Sequence, residues 1–166
     1  MKIGIINVTG YAGSEAARII QQHPEFEITS ITGRSAAGKN IGDIFPHLES
    51  VNLKITDEID GSPDLIISAL PHAASAQSLE PLINSGFKIL DLSSDFRLKD
   101  IPTYEEWYKV EHPTPDLVPK SVYGLPELNR DLIIKANLIA NPGCYPTAIM
   151  LGLLPAIKNG LIDTKR

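Results

Sequence analysis

The chain has one cysteine in 166 residues, and it sits in a frame suited to nucleophilic chemistry. Cys144 lies in Ala140-Asn141-Pro142-Gly143-Cys144-Tyr145-Pro146-Thr147, after a short apolar run and ahead of the most apolar helical stretch. A thiol at a helix N-terminus meets the positive end of the helix dipole, which favours the thiolate. The unpaired amides there suit a developing oxyanion. Pro146 fits a first helical turn, where its missing N–H costs nothing. A buried, inert thiol is the ordinary alternative for a lone cysteine. The Gly-Cys-x-Pro frame at a strand-to-helix turn favours the nucleophile.

A second constellation lies near the N-terminus. After the apolar run Lys2-Ile3-Gly4-Ile5-Ile6, the sequence passes through Asn7-Val8-Thr9-Gly10-Tyr11-Ala12-Gly13 into a helical stretch. Strand, glycine-bearing turn and helix is the setting in which such a turn binds a dinucleotide. Gly10 lets the backbone approach a pyrophosphate, Gly13 lets the helix pack closely on the sheet, and the helix start supplies amide donors. Asn7 stands where the first glycine of a regular fingerprint belongs, and Asn tolerates positive φ better than most residues. A tight turn with no ligand is the alternative for this motif alone. At the end of the next strand, Thr32-Gly33-Arg34-Ser35-Ala36-Ala37-Gly38-Lys39 lacks the acid that would accept from a ribose diol. Arg34, Ser35 and Lys39 instead suit a phosphate, so the two turns together favour NADP over NAD. Alone, the second turn is equally a solvated basic loop. A cysteine thiolate beside such a nicotinamide has one clear use: it forms a thioester or hemithioacetal with which a hydride is exchanged.

These turns need a frame to position them. Residues 2–7 read as a strand buried on both faces. Residues 14–22 read as a helix stopped by Pro24, and residues 27–32 as a second strand. A glycine, serine and basic loop follows at 33–40, with a short third strand at 52–55. Residues 64–70 are the most strand-like segment in the chain. Residues 73–85 are helical in composition, with a kink or break expected at Pro81, and 88–92 form a fifth strand. This β-α-β-α-β rhythm predicts an α/β fold, a Rossmann-type doubly wound parallel sheet. From 93 to 127 the rhythm breaks into long connections around a short helix at 104–109. Tyr104, Trp107 and Tyr108 there suit packing better than base stacking. A helix at 129–135, a strand at 137–140 and an apolar helix at 145–159 complete the chain.

Composition removes several classes of function. Fifteen basic against twenty acidic residues give a net charge of −5, which argues against non-specific nucleic-acid binding. One cysteine excludes an internal disulfide and a multi-cysteine metal site, so no metal is expected. No apolar run approaches the ~20 residues needed to span a bilayer. No basic region with an apolar stretch and cleavage site opens the chain. The expectation is a soluble, cytoplasmic protein whose partner is a small molecule, not nucleic acid or membrane.

The motifs, taken together and in order, resemble a known family. Gly10-Tyr11-Ala12-Gly13, Ala69-Leu70-Pro71-His72, Asp91-Leu92-Ser93-Ser94-Asp95-Phe96-Arg97-Leu98, Tyr123-Gly124-Leu125-Pro126-Glu127 and Asn141-Pro142-Gly143-Cys144-Tyr145-Pro146-Thr147 look like N-acetyl-γ-glutamyl-phosphate reductases. Those belong with the semialdehyde dehydrogenases among acyl-phosphate reductases. Asn7 and Ala73 depart from it, each standing where glycine is usual. The resemblance implies NADPH-dependent reduction of N-acetyl-γ-glutamyl phosphate to N-acetylglutamate 5-semialdehyde and phosphate, a step of arginine biosynthesis, with Cys144 as the catalytic nucleophile. It implies cofactor contacts from Thr9, Gly10, Tyr11, Ala12, Gly13, Arg34, Ser35, Lys39, Leu70 and Pro71. His72, Asp95, Arg97, Glu127 and Asn141 become substrate-site candidates. Ordinary readings stand beside them. His72 better fits a turn histidine satisfied by backbone, Asp95 and Arg97 form a charged pair that is equally a surface ion pair, and Glu127 suits a helix start.

The resemblance also implies residues that the sequence does not contain. His23, His47, His72 and His112 do not match the family's general acid/base histidine. The 145–159 helix is apolar around most of its circumference, which calls for burial on all sides. The expected organisation is therefore an NADP-binding domain at 1–143. Residues 144–166 form the nucleophile helix and the start of a mostly absent α+β substrate and dimerisation domain. Homo-oligomerisation is expected of the full-length enzyme through that domain. Two other readings stay open: an NADP-binding module without turnover, and a reductase of a carrier-protein-linked aminoadipyl or glutamyl phosphate.

Overall fold

The computed structural model describes residues 1–163. Its strands are β1 (Lys2–Ile6), β2 (Glu27–Ile31), β3 (Leu65–Ser68), β4 (Ile89–Asp91), β5 (Ser121–Tyr123) and β6 (Leu138–Ala140). Its helices are α1 (Tyr11–Ile20), α2 (Ile41–Ile44), α3 (Ser75–Asn84), α4 (Ile101–Tyr108), α5 (Pro126–Lys135) and α6 (Cys144–Lys158). The strands form one sheet in the order β2-β1-β3-β4-β6-β5, and every pairing is parallel. The register sets Ile5 of β1 beside Ile67 of β3, and Ile67 beside Leu90 of β4.

Parallel neighbours require crossovers, and crossovers put helices on both faces. From β1 the chain crosses to β2 on one side, then returns past β1 to β3 and β4 on the other. That reversal, with right-handed crossovers, places α1 and α3 on opposite faces. The core divides accordingly. Ala17 and Ile20 of α1 pack with Ile3, Ile5, Ile31 and Ile67. Ala76 and Leu79 of α3 pack with Ile66, Ile89, Phe96 and Leu138. Adjacent Ile66 and Ile67 serve opposite faces, as the two-residue period of a strand requires.

Several expected elements shift. The first helix begins at Tyr11, not residue 14, because the turn closes quickly: Asn7 is left-handed at φ 62° and Gly10 caps the helix. Residues 52–55 are not a strand. Asn52 is also left-handed, at φ 47°, and the segment makes only one isolated bridge, Asn40 with Lys54, with a second just beyond it, Thr32 with Thr56. The strand expected as the fifth is therefore the fourth. Helix α3 continues through Pro81 to Asn84; Gln77, whose carbonyl loses its partner, is exposed to water. Strand β5 was not expected. It is three residues long and exists because β6 offers it an edge, Ser121 beside Leu138. Trp107 does not pack; it is 75% exposed, whereas Tyr104 is fully buried.

Helix α6 has no buried residue among those described. Ile149, Leu153 and Ile157 are 58%, 47% and 43% exposed. The expected need for a cover is visible as bare apolar surface. The segment expected at 144–166 runs into residues 164–166, which lie outside the described ones.

Candidate active site

Because all strands are parallel, their carboxyl ends share one edge of the sheet, and the turns that start α1, α3 and α6 gather there. The first turn is built around Asn7. Its positive φ replaces a glycine, and its Nδ2 donates to the carbonyl of Ala69, just past β3, at 2.8 Å. Val8 N donates to Thr32 O at 2.8 Å, which ties the turn to the end of β2. A Cβ on Gly13 would lie 2.2 Å from Asn7 O and 2.8 Å from Val8 Cα, so only glycine lets α1 approach the strand end. Gly10 has φ −80° and ψ 160°, which any residue adopts. No side chain caps α1 and no acid lies in its first turn, so its N-terminus is free to receive an anion. A Cβ on Gly33 would meet Thr9 Cγ2 at 2.9 Å. The missing side chain thus lets the Arg34 loop lie close against the first turn. Arg34, Ser35 and Lys39 are exposed there, and Tyr11 is 98% exposed.

The reversal of strand order lies between β1 and β3, the place where sheets of this kind bind ligands. One wall of that crevice is the turn through Ala69, Leu70, Pro71 and His72 into α3. Ala73 in this turn is left-handed at φ 65°, a conformation costing a non-glycine residue about 1–2 kcal/mol. It is held by Asp95, which is wholly buried. Asp95 Oδ1 accepts from Ala73 N at 2.9 Å and from the Tyr104 hydroxyl at 3.0 Å; Oδ2 accepts from Ala76 N at 2.9 Å. Burial, with the nearby Asp95 carboxylate, pushes the Tyr104 phenol well above its usual range, so it remains a donor. His112 is buried too. Its Nδ1 accepts from Thr114 N at 3.1 Å, which makes Nε2 the donor to Asp95 O at 2.7 Å. Asp91, also fully buried, accepts from the Ser75 and Ser93 hydroxyls at 2.7 and 2.5 Å. Burial raises its carboxyl above the ordinary range, against the lowering effect of those bonds.

The expected pairing of Asp95 with Arg97 does not occur. Asp95 faces the start of α3, where backbone amides satisfy it. Arg97 faces the other way: its Nε donates to Asn141 O at 2.7 Å and its Nη2 to Leu92 O at 2.8 Å. A Cβ on Gly143 would lie 3.0 Å from Arg97 Nη1, so the guanidinium lies against the entry to α6. The guanidinium charge also works against the burial that raises the Tyr123 phenol.

Cys144 is exposed and is the first residue of α6. Gly143 caps the helix with no side-chain bond. The thiol opens on a cleft of about 580 Å³ lined by Gly124, Leu125, Glu127, Asn141, Thr147 and Leu151, among others. The cleft thus collects two sequence candidates, Glu127 and Asn141, with the nucleophile candidate. Asp95 lies buried away from open space, and His72 is exposed with its ring 5.6 Å from that of Tyr108. The sequence reading passed over Asp91, Ser75 and Tyr104 as supports. The signal for Asp91 was present: an acid at the carboxyl end of an otherwise apolar strand.

A doubly wound, all-parallel sheet with an open glycine turn at its reversal point defines a dinucleotide-binding domain of Rossmann type. Residues 2–136 match the family described as semialdehyde dehydrogenase, NAD binding domain. The chain belongs to that family. Among curated proteins it is similar to an N-acetyl-gamma-glutamyl-phosphate reductase of Dehalococcoides mccartyi, 54% identical over 162 residues, covering 98% of this chain and 48% of the relative. It is also similar to one of Cellvibrio japonicus, 46% identical over 170 residues, covering 100% and 49%. The chain spans about half the length of these relatives. Among solved structures, it shares its fold with aspartate semialdehyde dehydrogenase II of Vibrio cholerae complexed with ASA. There the TM-score is 0.66 at 19% identity, over 95% of this chain and 46% of that one. The aspartate semialdehyde dehydrogenase of Candida albicans with NADP gives 0.62 at 17%, over 95% and 47%. No helix among the described residues is long and apolar enough to cross a membrane.

Proposed function

We propose that this chain is the cofactor-binding and nucleophile-bearing part of an NADPH-dependent acyl-phosphate reductase. Its substrate is N-acetyl-γ-glutamyl phosphate and its product N-acetylglutamate 5-semialdehyde, in cytoplasmic arginine biosynthesis. Residues 1–143 are the cofactor domain. Residues from 144 onward open a second segment through which the full-length enzyme binds substrate and self-associates.

The residues present fit the cofactor. The α1 N-terminus and the approach cleared by Gly13 would hold the pyrophosphate, and Arg34, Ser35 and Lys39 the 2′-phosphate. Leu70 and Pro71 line the crevice between β1 and β3. When bound, NADPH supplies a hydride. Cys144 Sγ forms a bond to the acyl carbon as the acyl–oxygen bond breaks, and phosphate departs with the electron pair, leaving a thioester. After reduction, the sulfur leaves the resulting hemithioacetal carbon and regains its proton, freeing the aldehyde. Asn141 and Glu127, beside Cys144 in the cleft, orient the acyl group, and Arg97 places positive charge at the entry to α6.

The observation that carries this reading is that the open start of α1 and the exposed thiol at the start of α6 lie on one edge of one sheet. The test is a fluorescence titration of the chain with NADPH and NADH, with assays for aldehyde formation. The expected outcome is binding with NADPH preference and little or no turnover by the chain alone. Absence of NADPH binding defeats the reading, and robust phosphate-dependent aldehyde oxidation by the chain defeats the assignment of substrate binding to a further segment.

A further inference from the structure

The turn between β3 and α3 is held at both ends by side chains from elsewhere in the fold. At its near end Asn7 Nδ2 donates to Ala69 O at 2.8 Å. At its far end Asp95 accepts from Ala73 N and Ala76 N, each at 2.9 Å. Both held regions involve a left-handed residue that is not glycine, Asn7 at φ 62° and Ala73 at φ 65°. A glycine at position 7 would satisfy the backbone equally well; what the asparagine adds is the bond to Ala69. A left-handed alanine persists where its surroundings over-determine it, and the Asp95 carboxylate does so here. The residues between the anchors, Leu70, Pro71 and His72, form one wall of the crevice where the strand order reverses.

We infer that Asn7 and Asp95 are positioning residues that pre-form this wall, so that the cofactor does not have to order it on binding. A wall fixed in advance removes an ordering cost from binding. The inference rests on the cofactor reading proposed above. It concerns two side chains that touch the turn, and not the cofactor itself.

Asn7→Gly tests it cleanly, because it keeps the positive φ and deletes only the clasp. NADPH titration is expected to show a dissociation constant about five- to tenfold higher, the effect of one hydrogen bond. The melting temperature is expected to stay within about 3 °C. Asp95→Asn leaves an amide donor facing a backbone donor. It is expected to weaken NADPH further and to lower hydrogen-exchange protection, in the cofactor-free chain, of whichever of the Ala73 and Ala76 amides the new NH2 group faces. If that variant does not fold, the same readings are taken on Asp95→Asn combined with Ala73→Gly, in which the backbone strain is relieved. Unchanged NADPH affinity in both Asn7→Gly and the Asp95 variant, with the parent chain binding normally, overturns the inference alone. A parent chain that does not bind NADPH overturns the cofactor reading on which it rests.

Discussion

Gly13 stands so close to Asn7 that a Cβ there would come within 2.2 Å of the Asn7 carbonyl oxygen. The neighbour is backbone, so it cannot turn aside. Gly13→Ala must therefore push α1 away from the end of β1, at a cost of about 1–3 kcal/mol, and misplace the amides that face an anion. The expected result is loss of detectable NADPH binding and a lower urea midpoint. Gly10→Ala is the control: its φ is ordinary, and its nearest neighbour is the Asn7 side-chain amide at 3.1 Å. It should fold with near-parental stability. Equal effects at the two positions would contradict this account of the turn.

Ala73 gives a prediction of opposite sign. Its left-handed φ of 65° costs about 1–2 kcal/mol relative to glycine, while glycine adds unfolded-state entropy of roughly 0.5–1 kcal/mol. Ala73→Gly should thus stabilise the chain by about 0.5–1 kcal/mol, raising the melting temperature by a few degrees. Urea unfolding measures it directly, and a destabilised variant would show that the backbone here is not strained.

What could be read in advance was local. The strand around Leu65–Ser68, the turn from Asn7 to Gly13 and the cysteine frame each declare themselves through contiguous residues, so the doubly wound order and the main turns were legible. What could not be read was tertiary. Ser121–Tyr123 is too short for a periodicity and becomes a strand only because β6 is beside it. Asp95 and Arg97, two residues apart, read as a pair, but one is drawn to the amides that start α3 and the other to the carbonyls around Asn141. The two positions without their usual glycine were visible. Their meaning came from the positive φ at each and from the side chains that hold them.

Asp91 predicts a pH dependence. Burial raises its carboxyl in the folded chain above the unfolded value. A group shifted this way contributes stability that is fully present below its unfolded pKa and is lost as pH rises through its folded pKa. Asp91→Asn removes that titration. The stability lost on substitution should therefore be larger near about pH 4 than at neutral pH. Urea unfolding of both chains at the two pH values tests this, since other titrating groups are common to both. A difference that shrinks on acidification would reverse the sign of the shift.

Arg34 carries the proposed choice of cofactor. It is exposed beside the first turn, where a guanidinium and a 2′-phosphate would make charge-assisted bonds of about 1.5–3 kcal/mol. Arg34→Ala should weaken NADPH by about ten- to a hundredfold and leave NADH unchanged. The NADPH preference of the parent chain should also fall as salt is raised, because the contact is solvent-exposed. Equal weakening of both dinucleotides would place Arg34 on a part they share, such as the pyrophosphate.

Cys144 is exposed at the first position of α6, so iodoacetamide should label the folded chain to one equivalent without denaturant. Two strands, β3 and β4, separate β1 from β6. The ends of β1 and β6, which lead into α1 and α6, are therefore about 14 Å apart along the sheet edge, three strand spacings. A dinucleotide extended along that edge from its pyrophosphate at α1 brings its reactive ring toward Cys144. Saturating NADPH should then slow alkylation, and Cys144→Ser should bind NADPH as the parent does while taking up no label. Labelling at the same rate with and without NADPH would put the thiol beyond the cofactor's reach. Cys144 would then be an exposed helix-start residue with no part in hydride transfer.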